Sequence, residues 1–373
     1  MTTGPSTELR KTPLFDWHSS HGGKMADFAG WSMPIQYSSI VEEHLHTRSS
    51  ASMFDVSHMA RLEFRGAGAN SFLNRLLTRR VDNMKVGQVR YSLILNQQAG
   101  VLDDVLVYRT AIDARHSCYW MVVNAGNHQK ISSWIGSQPG GEDFEWIDHT
   151  AETAMMAIQG PRAVDLVKAQ LQAPLDELKY YHSTRVAWDD HMVLASRTGY
   201  TGEDGCELIL PADCAVEFWM QLIAAGNGQV KAAGLGARDT LRVEAGMPLY
   251  GHELSETMNP CQAGLGFAVN MKNRDFIGRT ALEAIKAGAI GQQRIGLLLD
   301  GRRVPRTDYP IIAGGEPVGL VTSGTFSPTL ERPIAMGYVQ PEWVAVDTRL
   351  EVDIRGRLEK AKVVKLPFYT RDG

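Results

Sequence analysis

TAMMAIQGPRAVDLVKAQL, residues 153–171, sets the pattern from which the fold is read. Its first seven residues read as a strand, and Gly160-Pro161 break it. From Pro161 to Leu171 the apolar residues Val164, Val167 and Leu171 fall on one face of a helix. Proline suits the first helical position, where its missing N–H has no partner and its φ is already helical. The same order occurs twice more. Residues 61–65 read as a strand, Gly66-Ala67-Gly68 as the turn and residues 69–78 as a helix with Phe72, Leu73, Leu76 and Leu77 on its apolar stripe. Residues 206–210, Pro211-Ala212-Asp213 and a helix over 215–225 form the third copy. The three copies are far apart, with further strands between them. That order predicts an α+β architecture with antiparallel sheets rather than strict strand–helix alternation.

The character changes near Gln293, after a helical lead-in over residues 281–287. Residues 294–299 read as a strand, Gly314-Gly315 marks a hairpin turn, and residues 317–322 return. Residues 334–339, 349–354 and 361–366 read as further strands. Many short strands separated by turns predict a small β-barrel or sandwich at the C-terminal end. Gly226-Asn227-Gly228 reads as a loop between elements.

The totals set limits. The length of 373 residues allows two or three domains. A net charge of −4 provides no overall attraction for nucleic acid. The four cysteines, Cys118, Cys206, Cys214 and Cys261, form no CxxC pair and show no zinc-ligand spacing with a neighbouring histidine, so they read as reduced thiols. Residues 1–11 lack the apolar core of a signal peptide, and no stretch approaches the ~20 apolar residues of a membrane span. The expected location is cytoplasmic, or an organelle matrix if the chain is a mature form.

Gly66-Ala67-Gly68 and Gly234-Leu235-Gly236 each lack the third glycine of a dinucleotide loop, and there is no Gly-Lys-Ser/Thr P-loop. Flavin and nicotinamide chemistry is therefore disfavoured. His44 and His46 sit in a segment that reads as a helix, where i and i+2 diverge, so they read as surface or core histidines. Asp103 and Asp104 lie between strand-forming residues after Gly100. On a strand they face opposite sides, one toward solvent and one inward; the other reading puts both in a turn. Tyr91 falls on the preceding strand, and Tyr108, four residues after Asp104, shares that residue's face. Gly199, Gly202 and Gly205 shape a loop before Glu207, which is either a solvated strand end or a carboxylate aimed into a pocket. Arg238 falls in the first turn of a helix starting near Ala237. A cation opposes the helix dipole there and needs an acidic ligand or a carboxylate partner.

Eight stretches together resemble the glycine cleavage T-protein (aminomethyltransferase) family. They are Thr12-Pro13-Leu14, the residues Phe28 to Pro34, Met53 to Met59, Asp103-Asp104, Ile158-Gln159-Gly160-Pro161, Arg197 to Glu203, Gly234 to Asp239, and Thr322 to Thr329. They occur in the family's order from about residue 11 to 369. Each string is weak alone, and the ordered set is specific. The resemblance implies a three-domain cloverleaf: residues 1–55 with 145–230 as a folate-binding α+β domain, 56–144 with 231–280 as a second, and 281–373 as a β-barrel. It implies transfer of an aminomethyl carbon from the lipoyl arm of H-protein to tetrahydrofolate, releasing ammonia and giving methylene-tetrahydrofolate and dihydrolipoyl H-protein. Tetrahydrofolate is then a substrate, lipoylated H-protein the partner, and no metal, nucleotide cofactor, nucleic acid or membrane is involved. Position by position, it marks Asp104 as the central acid, and Glu207 and Arg238 as folate contacts. It places Tyr91, Tyr108, Tyr180 and Tyr200 around the folate. Arg371 aligns loosely, and Tyr180 is interchangeable with Tyr181. The chemistry agrees: a carboxylate can accept from the pterin amino and ring N–H groups, and aromatic walls suit the flat rings. Asp104 would orient the nucleophilic amine and stabilise the cationic iminium formed as ammonia leaves, or else transfer a proton.

Two other readings share these features. One is a different folate-dependent transferase or demethylase of the same fold. The other is a non-enzymatic folate-binding accessory protein, like the related iron–sulfur assembly factors. The cysteine-containing string expected of those factors is replaced here by Asp275-Phe276-Ile277-Gly278-Arg279. No flavin-binding half of the related fused oxidases is expected.

Overall fold

Thr153–Gln159 forms the strand its apolar run predicts, and Ala163–Leu171 the helix, with Val164, Val167 and Leu171 buried. The helix starts two residues later than expected. Gly160 holds a positive φ of 130°, where a Cβ would lie 2.3 Å from the Ser50 carbonyl oxygen. Pro161 therefore belongs to the turn, and Arg162 is the N-cap. The structure, a computed structural model, describes residues 8–111, 117–139, 143–288 and 290–371. The chain divides into two compact units, one of Met1–Ala60, Asp148–Gly199 and Glu203–Arg238, the other of Arg61–Ile147, Tyr200–Gly202 and Asp239–Gly373.

The first unit is built on a six-stranded sheet in the order Ser183–Trp188, His191–Ser196, Gly205–Pro211, Thr153–Gln159, Ala51–Asp55, Val230–Ala232. Its pairs are antiparallel apart from the last: Val230–Ala232 runs parallel to Ala51–Asp55, a departure from the all-antiparallel expectation. A helix, Ala215–Ala225, intervenes before that edge strand, and a helical crossover of this kind lets a strand be added in parallel. The helix buries Phe218, Trp219 and Leu222 against the sheet, beside Trp188 and Val167. Each such fully buried side chain contributes about 1.5–3 kcal/mol of apolar transfer free energy.

The second unit holds a five-stranded sheet and a closed barrel. The sheet order is Val89–Leu95, Val101–Ala111, Ser117–Val123, Ala60–Arg65, Glu145–Asp148. The helix after Ala60–Arg65 covers Ala69–Leu76 and stops short of Thr78. Thr78 is captured by the neighbouring strand instead: its N–H donates to Leu93 O at 3.0 Å, and its Oγ1 accepts from Leu93 N at 3.0 Å. The barrel closes in the order Gln293–Leu299, Arg332–Val339, Glu316–Ser327, Pro310–Ala313, Arg349–Asp353, Leu358–Val364. The strand expected to end at residue 322 runs on to Ser327, because an irregularity between Val321 and Ser323 bends it and restores pairing. The last strand begins at Leu358, earlier than expected, through its pairing with Arg349–Asp353. The fold is thus α+β with a C-terminal six-stranded barrel. Among the described residues no helix is long and apolar enough to cross a membrane.

Candidate active site

Val89–Leu95 and Val101–Ala111 form an antiparallel hairpin in which Leu93 faces Asp104 and Tyr91 faces Leu106. Both aspartates are therefore on a strand, and the turn reading is excluded. Gly100 precedes them by necessity. A Cβ there would lie 1.7 Å from Glu256 O, and this close approach lets Val101 N donate to Met258 O at 2.9 Å. Tyr91 Oη donates to Asp104 Oδ2 at 3.1 Å. Asn124, just beyond Ser117–Val123, supplies the remaining donors. Its Nδ2 lies 2.8 Å from Asp104 Oδ1, 2.8 Å from Asp103 Oδ1 and 3.1 Å from Asp104 O. Its backbone N–H donates to Asp103 Oδ2 at 3.0 Å, and Asn127 Nδ2 to Asp103 Oδ1 at 2.6 Å.

Strand alternation led to the expectation that one aspartate reaches solvent. Neither is exposed: Asp103 is fully buried and Asp104 is half-buried. The carboxamide of Asn124 spans both, a tertiary contact that alternation does not anticipate. Burial pushes Asp103 up to about 8, helped by the charge of Asp104 and opposed by Asn124 and Asn127. Burial likewise raises Asp104 to about 6, against the hydrogen bonds from Tyr91 and Asn124. Burial, with the neighbouring Asp104 charge, holds the Tyr91 phenol protonated well above its ordinary range.

Tyr108 is buried on the same strand, four residues from Asp104. Tyr200 donates to Pro248 O at 2.5 Å and is near enough for its charge to act on Tyr91. Phe267 stacks on Tyr91 with ring centroids 6.0 Å apart, yet leaves 66% of its surface exposed. Arg242 is buried within electrostatic reach of Tyr200. Its Nη1 donates to Glu253 Oε2 at 2.8 Å and its Nη2 to Ser323 Oγ at 2.7 Å, which ties the Leu235–Glu244 helix to a barrel strand. Burial would raise Glu253, but Arg242, Thr322 and Ser323 outweigh it and hold the carboxyl below its usual value.

In the first unit Glu207 lies in a cross-strand row with Ser183, Ser196, Ala157 and Phe54. It is 4% exposed, so it is not a solvated strand end. Thr198 Oγ1 donates to its Oε2 at 2.6 Å, and Ser196 Oγ lies 2.7 Å from Thr198 Oγ1. Tyr180 precedes the Ser183 end of that row. It is 45% exposed and packs edge-on to Tyr181 at 4.9 Å. Arg238 occupies the first turn of Leu235–Glu244, half-buried, its N–H donating to Gly234 O at 3.2 Å. Gly234 N in turn donates to Glu43 Oε2 at 2.8 Å. Arg371, in the second unit, is exposed, two residues beyond Tyr369, whose N–H donates to Glu244 O. Within the second unit, then, Asp104, Tyr91 and Tyr200 come together with Tyr108 on the same strand. Glu207, Tyr180 and Arg238 belong to the first.

The sequence reading passed over Asn124 and Asn127, since a lone asparagine after a strand carries no motif. It also passed over a small cluster in the first unit. Among the described residues, His191, Asp213 and Cys214 each bring one ligand atom to within 4.8 Å of the others. Sheet pairing, not sequence spacing, gathers them. Burial, with the charge of Asp213, pushes the Cys214 thiol up to about 11, and its Sγ donates to Pro211 O at 3.3 Å.

Residues 14–273 match the GCVT N-terminal domain family, and residues 292–370 match the glycine cleavage T-protein C-terminal barrel domain. A curated aminomethyltransferase of Symbiobacterium thermophilum is 45% identical over 370 residues, covering 97% of this chain and 97% of that one. Another, of Moorella thermoacetica, is 43% identical over 365 residues, covering 98% and 99%. The crystal structure of glycine cleavage system aminomethyltransferase T from Bartonella henselae aligns with a TM-score of 0.89 at 35% identity, covering 97% of this chain and 98% of that one.

Proposed function

The chain belongs to the glycine cleavage T-protein family and is a tetrahydrofolate-dependent aminomethyltransferase, and from that premise we propose which of its residues do the work. Its substrates are tetrahydrofolate and the aminomethyl-lipoyl arm of H-protein. Its products are 5,10-methylenetetrahydrofolate, ammonia and dihydrolipoyl H-protein. Asp104 is the central acid. The observation that supports this is its pairing with Tyr91 and Asn124 in a buried setting where, among the described residues, no cation pairs with its carboxyl. A half-buried carboxyl of this kind can orient the attacking amine and stabilise positive charge as ammonia departs, because the surrounding dipoles are fixed before reaction.

Glu207 suits the donor edge of a pterin. Thr198 already takes Oε2, and among the described residues no donor takes Oε1. Arg238 suits the acidic tail or the carbonyl of the folate, and Tyr91, Tyr108, Tyr180 and Tyr200 its rings, with Arg371 at the periphery. The three-part division, 1–55 with 145–230, 56–144 with 231–280, and 281–373, remains part of this reading. Separate apolar cores in the six-stranded sheet, behind the five-stranded sheet and in the barrel support it. A cytoplasmic location fits four free cysteines. The test is an assay with lipoylated H-protein and tetrahydrofolate, scored for ammonia. No ammonia from this pair, with turnover of a small methylated amine instead, would refute the reading.

A further inference from the structure

We propose that Asp103 is the positioning partner of Asp104: bridged by the Asn124 carboxamide, the two carboxyls form one proton-sharing pair, and Asp103 sets how much negative charge Asp104 presents to substrate. This rests on the assignment of Asp104 as the central acid. Asp103 itself touches no substrate in this account.

The geometry carries the argument. Neighbouring residues on a strand point to opposite faces, and such carboxyls ordinarily ignore each other. Here one amide nitrogen, with two hydrogens, lies 2.8 Å from an oxygen of each. Among the described residues, the other hydrogen-bond partners of Asp103 are also N–H donors: Asn124 N at 3.0 Å and Asn127 Nδ2 at 2.6 Å. Three donors favour an anion on Asp103, and two, Tyr91 and Asn124, favour one on Asp104. Among the described residues no cation pairs with either. Two adjacent negative charges in a buried setting repel strongly, so the second ionisation is harder than the first and the titration belongs to the pair.

The groups that face the pair do not remove this repulsion. Tyr91 comes from the adjacent strand and stays protonated. Tyr250 is near enough to feel the charge of Asp103, but Lys130 Nζ is engaged with Tyr250 Oη at 2.7 Å and with Glu256 Oε1 at 3.1 Å. Tyr200 and Arg294 act on Tyr91. Burial raises both carboxyls and the charge of one opposes ionisation of the other, so the second proton leaves at higher pH than the first and the pair passes through a singly charged state. A second charge would compete for the shared Asn124 hydrogens and pull Asp104 away from its set position.

The experiment measures kcat and KM from acid to alkaline pH, with lipoylated H-protein and tetrahydrofolate, for the full-length protein and two variants, each checked by thermal melting. Wild type should lose activity on both sides of neutrality. Asp103→Asn leaves one ionisable carboxyl: the alkaline limb disappears, and kcat near neutrality stays within about tenfold of wild type. Asn124→Ala removes the donor common to both carboxyls, so the acid limb moves upward, by about one pH unit. A merely structural role would not move one limb in each variant. A wild-type profile without the alkaline limb, or that limb retained in folded Asp103→Asn, overturns the proposal. If Asp103→Asn does not fold, an unmoved acid limb in Asn124→Ala overturns it alone. Full activity in Asp104→Asn is a separate failure, because it removes Asp104 from the mechanism altogether.

Discussion

Asp55 in the first unit and the Asp103–Asp104 pair in the second are carboxyls withdrawn from water on β-strands, yet their pKa values shift in opposite directions. Asp55, 2% exposed, ends the Ala51–Asp55 strand. It accepts from Thr12 Oγ1 at 2.6 Å and Ser57 N at 2.8 Å, and lies 2.9 Å from His18 Nε2. Tyr37 Oη sits 2.7 Å from the other ring nitrogen of His18. Burial pushes Asp55 up, but His18, Ser57 and Thr12 outweigh it, so its pKa falls below the usual carboxylate value. The aspartate pair has amide and phenol donors and, among the described residues, no cation paired with it, so burial prevails and both pKa values rise. Burial does not decide the charge of an acid; the partners buried with it do. An acid settled by a histidine together with hydroxyl and amide donors is spent on structure. One held only by neutral dipoles keeps its charge available for a ligand.

The strongest way to break this contrast is Asp104→Asn. It should lower kcat by about 10³-fold or more while part of the folate affinity survives, as expected for loss of a preorganised charge. Retained turnover would make the second site as structural as the first. Next comes Asp55→Asn, expected to cost about 1–3 kcal/mol in denaturant unfolding by putting an amide donor where Thr12, His18 and Ser57 meet an accepting carboxylate. The folded pKa of Asp55 lies below its unfolded value near 3.8, so its contribution is present above that value and lost as pH falls through the folded one. The pair is raised, so its contribution is present below about 4 and lost as pH climbs through about 6 and about 8. Melting temperatures across pH should show both slopes in wild type, and only the alkaline one in Asp55→Asn. Last comes Glu207→Ala: folate binding, measured by calorimetry, weakens by about 1–3 kcal/mol if pterin donors are left unpaired. Unchanged affinity would leave Glu207 as a buried strand residue held by Thr198.

Much of this molecule could be read from its sequence. Strand-then-helix order located Thr153–Gln159 and Ala215–Ala225 to the residue, because period-2 and period-3.6 patterns are local properties of the chain. The turn-punctuated C-terminal run gave a barrel or sandwich, and the family resemblance of the ordered motifs marked Asp104, Glu207 and Arg238. Element ends were decided elsewhere: Thr78 left its helix for a hydrogen bond to Leu93, and Gly160 moved the start of the next helix past Pro161. Nor does any local pattern pair Val230–Ala232 in parallel, or set Asn124 between two aspartates some twenty residues away. Local patterning identified the segments that become strands and helices and the acids that stand among apolar neighbours. Which of those acids has a histidine beside it is settled by the assembled sheets, where hydrogen-bond partners distant in sequence meet.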